Sequence, residues 1–182
     1  MLQNIPVDMI QVGIYGGDGL SASFPWSGGP GINGFEPPGA YDTLGVWSDV
    51  ANQLGVRLHI YSHTFNGKTP ADLADVNPQY QGSRYGTGWQ NFMNDVFYPV
   101  LNEALANYPS IQGLWIDGSE ALVQAESVRQ NIANIVHQHD DTAMMTFNHS
   151  YMGLISGWPD PNTPPSYVDT LSFDRRGATG DA

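Results

Sequence analysis

The chain is 182 residues long, 41% hydrophobic and only 13% charged, with 18 acidic against 6 basic side chains and a formal net charge of −12. Such a composition supports one well-buried domain and excludes a disordered chain. The negative excess works against partners that are nucleic acid or anionic membrane surface.

There is no cysteine, which rules out a disulfide framework, thiol catalysis and thiolate metal sites. No stretch approaches the roughly 20 apolar residues of a membrane span. The opening "MLQNIPVDMIQVG" lacks the charged and apolar regions of a signal peptide. The expected location is therefore cytoplasmic, or secreted if a leader lies upstream.

In chain order, "VDMIQVGIYGG" predicts a first strand, with Ile10, Val12 and Ile14 on one face and Gln11, Gly13 and Tyr15 on the other. A long Gly- and Pro-rich loop over 18–40 follows, whose Phe24, Trp26 and Phe35 predict a packed lid. Leu44, Trp47, Val50, Ala51 and Leu54 recur at helical spacing, and Gly55 is the expected stop. "VRLHIYSH" predicts the second strand, and 64–88 a second long loop. Trp89, Phe92, Met93, Val96, Val100, Leu101 and Leu105 then form the stripe of a long helix, which Pro99 should kink or split. "IQGLWIDG" predicts the third strand, Val128, Ile132, Ile135 and Val136 a further helix, "TAMMTFNHS" the fourth strand and "YVDTLSFDRR" the fifth.

Strands alternating with helices predict an α/β fold with a parallel sheet. Two architectures compete: an incomplete (β/α)8 TIM barrel with about five β/α units, and a five-stranded doubly wound parallel sheet. Strands of a doubly wound sheet are covered on both faces and read as unbroken apolar runs. Here Leu58 and Ile60 alternate with His59, Tyr61 and His63, Leu114 and Ile116 with Trp115 and Asp117, and Leu171 and Phe173 with Thr170, Ser172 and Asp174. One greasy face and one polar, aromatic face favour the barrel, with residues 1–182 as one partial domain.

The notable polar residues fall at expected strand ends: Asp18 after the first strand, His63 after the second, Asp117 and Glu120 after the third, Asn148 and His149 after the fourth, Asp174 on the fifth. Barrel active sites are built at those C-terminal ends, where side chains of separate strands converge. Asp117 has two readings: an Asp-Gly turn whose carboxylate caps the next helix, or an inward acid beside Trp115. The second suits carbohydrate chemistry, in which a carboxylate meets an anomeric centre while an indole stacks on the C–H face of a sugar.

"YPSIQGLWIDG" resembles the nucleophile strand of the glycoside hydrolase family 29 α-L-fucosidases, and "YDTLGVWSDVANQLGVRLHIYSH" is similar to a helix and following strand of that family and its barrel relatives. The resemblance spans residues 9 to 150. It implies a fucosidase-like glycoside hydrolase acting on a carbohydrate through carboxylates, with Asp117 as nucleophile or charge stabiliser; no cofactor is expected, nor, from the histidine spacing, a metal. Where fucosidases carry His-His-Asp-Gly, this chain has Gly16-Gly17-Asp18-Gly19, so the implied class is broader than fucose hydrolysis.

Asp18, Tyr61, His63, Trp115, Asn148 and His149 are the expected substrate-binding residues. The second carboxylate that a glycosidase needs is sought among Glu36, Glu120, Asp174 and Asp181. Glu120 reads as a solvated first-turn acid, and Asp174 either pairs with Arg175 or Arg176 or serves the reaction. His59 and His63 are four strand residues apart, roughly 13 Å, too far to share a metal ion. A non-catalytic carbohydrate-binding barrel and a small-ligand-binding doubly wound domain are the rival functions.

Overall fold

The computed structural model describes residues 8–14, 24–27, 42–63, 78–81, 86–117, 126–149 and 170–173, with residues 63, 117, 126, 147–149 and 170–173 described by backbone alone. Five parallel strands form one sheet: β1 (Met9–Gly13), β2 (Arg57–His63), β3 (Ile111–Asp117), β4 (Met144–His149) and β5 (Thr170–Phe173). Their order is β1-β2-β3-β4-β5, so each crossover advances by one strand in the same direction. A doubly wound sheet reverses its order at a switch point. These strands show no reversal, which removes the doubly wound alternative and leaves a singly wound parallel sheet.

Right-handed crossovers that always advance in one direction place their helices on one face. The burial pattern agrees. Leu58, Ile60, Leu114, Ile116 and Met145 are all buried at 1% exposure or less and join one apolar core with the helices. Each such side chain contributes about 1.5–3 kcal/mol by leaving water.

Helix α1 (Thr43–Leu54) begins where Asp42 Oδ1 accepts the Gly45 N–H at 2.7 Å and ends at Gly55, which adopts the left-handed conformation with φ 64°. It packs over β1 and β2 through Leu44, Ser48 and Ala51. Val46, Trp47 and Leu54 stay on its exposed side.

The expected break at Pro99 takes a specific form. Helix α2 (Thr87–Phe92) passes through a π-helical turn over Met93–Phe97 into helix α3 (Tyr98–Asn107). Proline has no N–H to donate and its ring collides with the carbonyl four residues back. The wider turn resolves this: the Tyr98 N–H reaches the Met93 carbonyl, and Pro99 enters the first turn of α3, where no donor is needed.

The π turn also explains the apolar stripe. Buried residues run Trp89, Phe92/Met93, Val96/Phe97, Val100/Leu101 and Ala104/Leu105, and the series 89, 93, 97, 101 and 105 advances by four at every step. On an uninterrupted α-helix four such steps would drift by about 160° around the axis. The wide turn takes up part of that drift and keeps the stripe on the sheet.

Helix α4 (Glu126–His139) buries Val128, Ile132, Ala133 and Val136 and packs beside α3. Asn131 hydrogen-bonds the Tyr98 side chain and His139 Nε2 lies 3.0 Å from Asn102 Oδ1, so polar contacts flank the apolar seam.

Of the two long loops, 18–40 is described only at 24–27. Phe24 is fully buried and meets Tyr108 edge-on at 5.7 Å between ring centroids. Ser27 donates its N–H and Oγ–H to the two oxygens of Glu103 at 2.7 and 2.6 Å. This part is packed as expected, but it packs on the end of α3, beside the start of β3, and not over the strand ends at which a lid would sit. Phe35 lies outside the described residues. Within 64–88 the chain makes a short 3-10 turn at Pro78–Tyr80 that buries Tyr80.

No group lies within 4 Å of a side chain added at Gly55, so its replacement tests backbone conformation alone. Gly55→Ala is expected to lower stability by about 1 kcal/mol in urea unfolding, because a Cβ disfavours φ above zero.

Candidate functional site

The backbone register builds the polar face of the sheet in rows. The first row, nearest the strand starts, contains Gln11, His59, Gly113 and Met144. The second runs through Gly13, Tyr61, Trp115, Thr146 and Thr170 across all five strands. In the third, His63 is the register partner of Asp117 and Asn148 of Ser172. Asp117 and Asn148 each follow a second-row residue by two, so these four positions share one row. Layered rows of this kind are how parallel barrels fill their interiors.

His63, Asp117 and His149 are the last residues of β2, β3 and β4, so the expected strand-end positions lie along one edge of the sheet. Neighbouring strands bring His63 and Asp117 to about 4.8 Å between their Cα positions. His149 differs from the rest. It is the partner of Phe173 and follows Phe147, the partner of Leu171, so its parity is that of the apolar rows. Asn148, not His149, occupies the row of Asp117. Asp18 and Asp174, with Glu36, Glu120 and Asp181, lie outside the described residues.

Beneath the third row, Tyr61 and Trp115 stack with centroids 5.1 Å apart and planes inclined by 24°. Both are half-buried. An aromatic pair spanning two strands, one residue layer below a row that contains an acid, an imidazole and an amide, is a surface on which a flat, C–H-rich face can rest.

His59 lies one layer deeper, 3% exposed, and its Nε2 has no hydrogen-bond partner among the described residues. Burial holds its pKa below the ordinary 6.5, and the Arg57 guanidinium adds to the effect. The imidazole is therefore a neutral structural ring at pH 7. Its ring covers the Cα of Gly113, a close approach that sequence reading did not single out. A glycine inside a strand pattern is the signal that points to such contacts. Thr146, which extends the second row, was likewise not singled out from sequence.

Among the described residues no three His, Asp or Glu side chains come together to hold a metal ion, and no helix is long and apolar enough to cross a membrane. A groove of about 480 Å³ is lined by Asp42, Asp49, Asn52, Asn107 and Tyr108. It adjoins the turn leading into β3, at the opposite end of that strand from Asp117. The groove is apart from the strand-end row.

The neutral state of His59 has a measurable consequence. A base whose folded pKa lies below its unfolded one leaves stability unchanged above the unfolded value and weakens it on acidification, because the unfolded chain takes the proton first. Stability in urea is expected to fall as the pH drops below 6.5, and to fall less steeply in His59→Gln.

No protein-family model and no curated protein sequence matches the chain. Solved structures do. An α-L-fucosidase, AlfC, in its fucosyltransferase mutant form, aligns with 76% of this chain at a TM-score of 0.57 and 15% identity. AlfC from Lactobacillus casei in complex with its α-L-fucose product gives 0.56 and 13% over the same share. An endo-fucoidan hydrolase of glycoside hydrolase family 107, MfFcnA4, aligns with 86% of this chain at 0.54 and 19%. The chain spans 47%, 46% and 29% of the length of those three proteins. At these identities the likeness is one of fold, and this chain has the α/β fold of part of the α-L-fucosidase and fucoidan hydrolase structures.

Proposed function

We propose that the chain is a fucosidase-like glycoside hydrolase, or the portion of one that holds the nucleophile, and that its five strands belong to a (β/α)8 barrel. The observation that supports this most is the register: Asp117 ends β3 beside His63, directly after the stacked Tyr61–Trp115 pair. The fold shared with α-L-fucosidases and a fucoidan hydrolase supports the same substrate class, a carbohydrate with a glycosidic bond.

In this reading the sugar rests against the Tyr61–Trp115 pair, with His63, Asn148 and Asp18 bonding its hydroxyls. Asp117 attacks the anomeric carbon. A carboxylate oxygen forms an ester bond to that carbon as the bond to the leaving oxygen breaks, and a second carboxylic acid gives the leaving oxygen its proton. Water then cleaves the ester, giving its proton back to the second carboxylate, with net retention of configuration. Retaining enzymes hold the two carboxyls about 5–5.5 Å apart. Asp174, two residues past Ser172 in the sequence, is the candidate partner within the chain. His149 is left out of the pocket because its parity differs.

Hydrolysis of a panel of nitrophenyl glycosides, α-L-fucoside included, tests the reading. A good leaving group needs little acid assistance, so turnover is expected even where the acid is poorly placed. Asp117→Asn and Asp117→Gly are expected to lower kcat by about a thousandfold or more with the circular dichroism spectrum unchanged. Full activity in either variant sinks the assignment. Sugar binding without turnover in the unaltered chain would identify a carbohydrate-binding barrel instead, since the aromatic pair serves both.

A further inference from the structure

The ladder between β2 and β3 contains one irregularity. Leu58 pairs with Ile111, but the next residue, His59, pairs with Gly113. Gln112 is the extra residue on β3, and it is exposed while Ile111 and Gly113 on either side are buried. A bulge of this kind moves every later side chain of its strand to the other face relative to its neighbour. In an unbroken register His59 would face Gln112, Tyr61 would face Leu114 and His63 would face Ile116. Trp115 and Asp117 would then fall in the rows of the apolar face. The bulge is what sets Trp115 beside Tyr61 and Asp117 beside His63.

The contact at the bulge explains why this register is chosen. A Cβ built on Gly113 would lie 2.6 Å from His59 Cε1 and 2.7 Å from both Nδ1 and Nε2. The ring thus lies across a bare α-carbon. It is 3% exposed, so it has little room to swing away. With the ring in this place a glycine is the residue that fits opposite His59, and in Ile111–Asp117 the one glycine is Gly113. The unbroken register would bring the side chain of Gln112 to that place, against the ring as it now lies.

We propose that the His59–Gly113 contact is a register lock that places Asp117 beside His63, and that His59 is a positioning residue for the reaction at Asp117. The catalytic consequence rests on the glycosidase reading; the register does not.

The chain has no cysteine, so introduced pairs report register directly. Tyr61→Cys with Trp115→Cys joins register partners whose Cα atoms are about 4.8 Å apart, within the span a disulfide bridges. Ser62→Cys with Trp115→Cys puts the thiols on opposite faces. On oxidation the first pair is expected to close and the second to stay open. Adding Gly113→Ala is expected to slow closure of the first pair by at least about tenfold. Adding His59→Gly to Gly113→Ala moves the bulk from one strand to the other and is expected to restore closure.

An unchanged closure rate in Gly113→Ala overturns the lock. So does a double variant that closes, or folds, no better than Gly113→Ala alone. In the cysteine-free chain, kcat on the nitrophenyl glycoside should fall in Gly113→Ala and recover at least about tenfold in the double variant. Kcat that ignores a register change overturns the positioning role. A cysteine-free chain with no turnover at all, but with the expected cross-links, overturns the glycosidase reading and leaves the lock intact.

Discussion

The polar face of the sheet depends on the approach of one imidazole to one unsubstituted α-carbon. His59 and Gly113 are register partners, and the ring of the first occupies the space in which any other residue at 113 would place its side chain. Steric exclusion is a sharper selector than attraction here, since interiors are close-packed and yield little to an extra carbon. The neutral state of the ring fits the same role. A charged imidazole at this depth would need a partner, and Nε2 has none among the described residues. The register of the strand-end row thus hangs on packing two layers below.

The opposite face obeys a different constraint. It must present a continuous apolar surface to helices whose sequence does not keep a regular period. Pro99 and the four-residue spacing from Trp89 to Leu105 are both awkward for an α-helix, and one π turn accommodates both. With the stripe held in place, the helical layer and sheet share a core, and the strands keep one dry and one polar side. That division gives Asp117 a defined row. A carboxylate on the wrong parity would be buried among Leu114, Ile116 and Met145, at a cost that no partner there offsets.

Much of this was legible in the chain itself. The alternation of Leu58 and Ile60 with His59 and Tyr61, and of Leu114 and Ile116 with Trp115, is a direct consequence of one covered face, and it survives in the burial pattern. Gly55 and Pro99 acted where their backbone chemistry requires. The π turn was not legible, because a proline signals a break without specifying how the hydrogen bonds are rerouted. The bulge was hidden for another reason: a period-2 pattern within β3 says nothing of its offset against β2, which is a property of the pair. The same gap let Asn148 and His149 read as equivalent, although adjacent strand residues have opposite parity. Phe24 and Trp26 were recognisable as packed, but not the place of Phe24 against Tyr108 or the tie of Ser27 to Glu103.

The strand order has a kinetic implication. Because β1 to β5 lie side by side in the sequence in which they are made, each strand finds its neighbour in the segment that emerged just before it. Among the described strands each pairing joins sequence neighbours, so closure entropy is met in instalments. Assembly can therefore track synthesis, with β3 adding to a β1–α1–β2 unit made before it. Order of manufacture and order in space coincide, and a growing chain is protected from pairing out of turn.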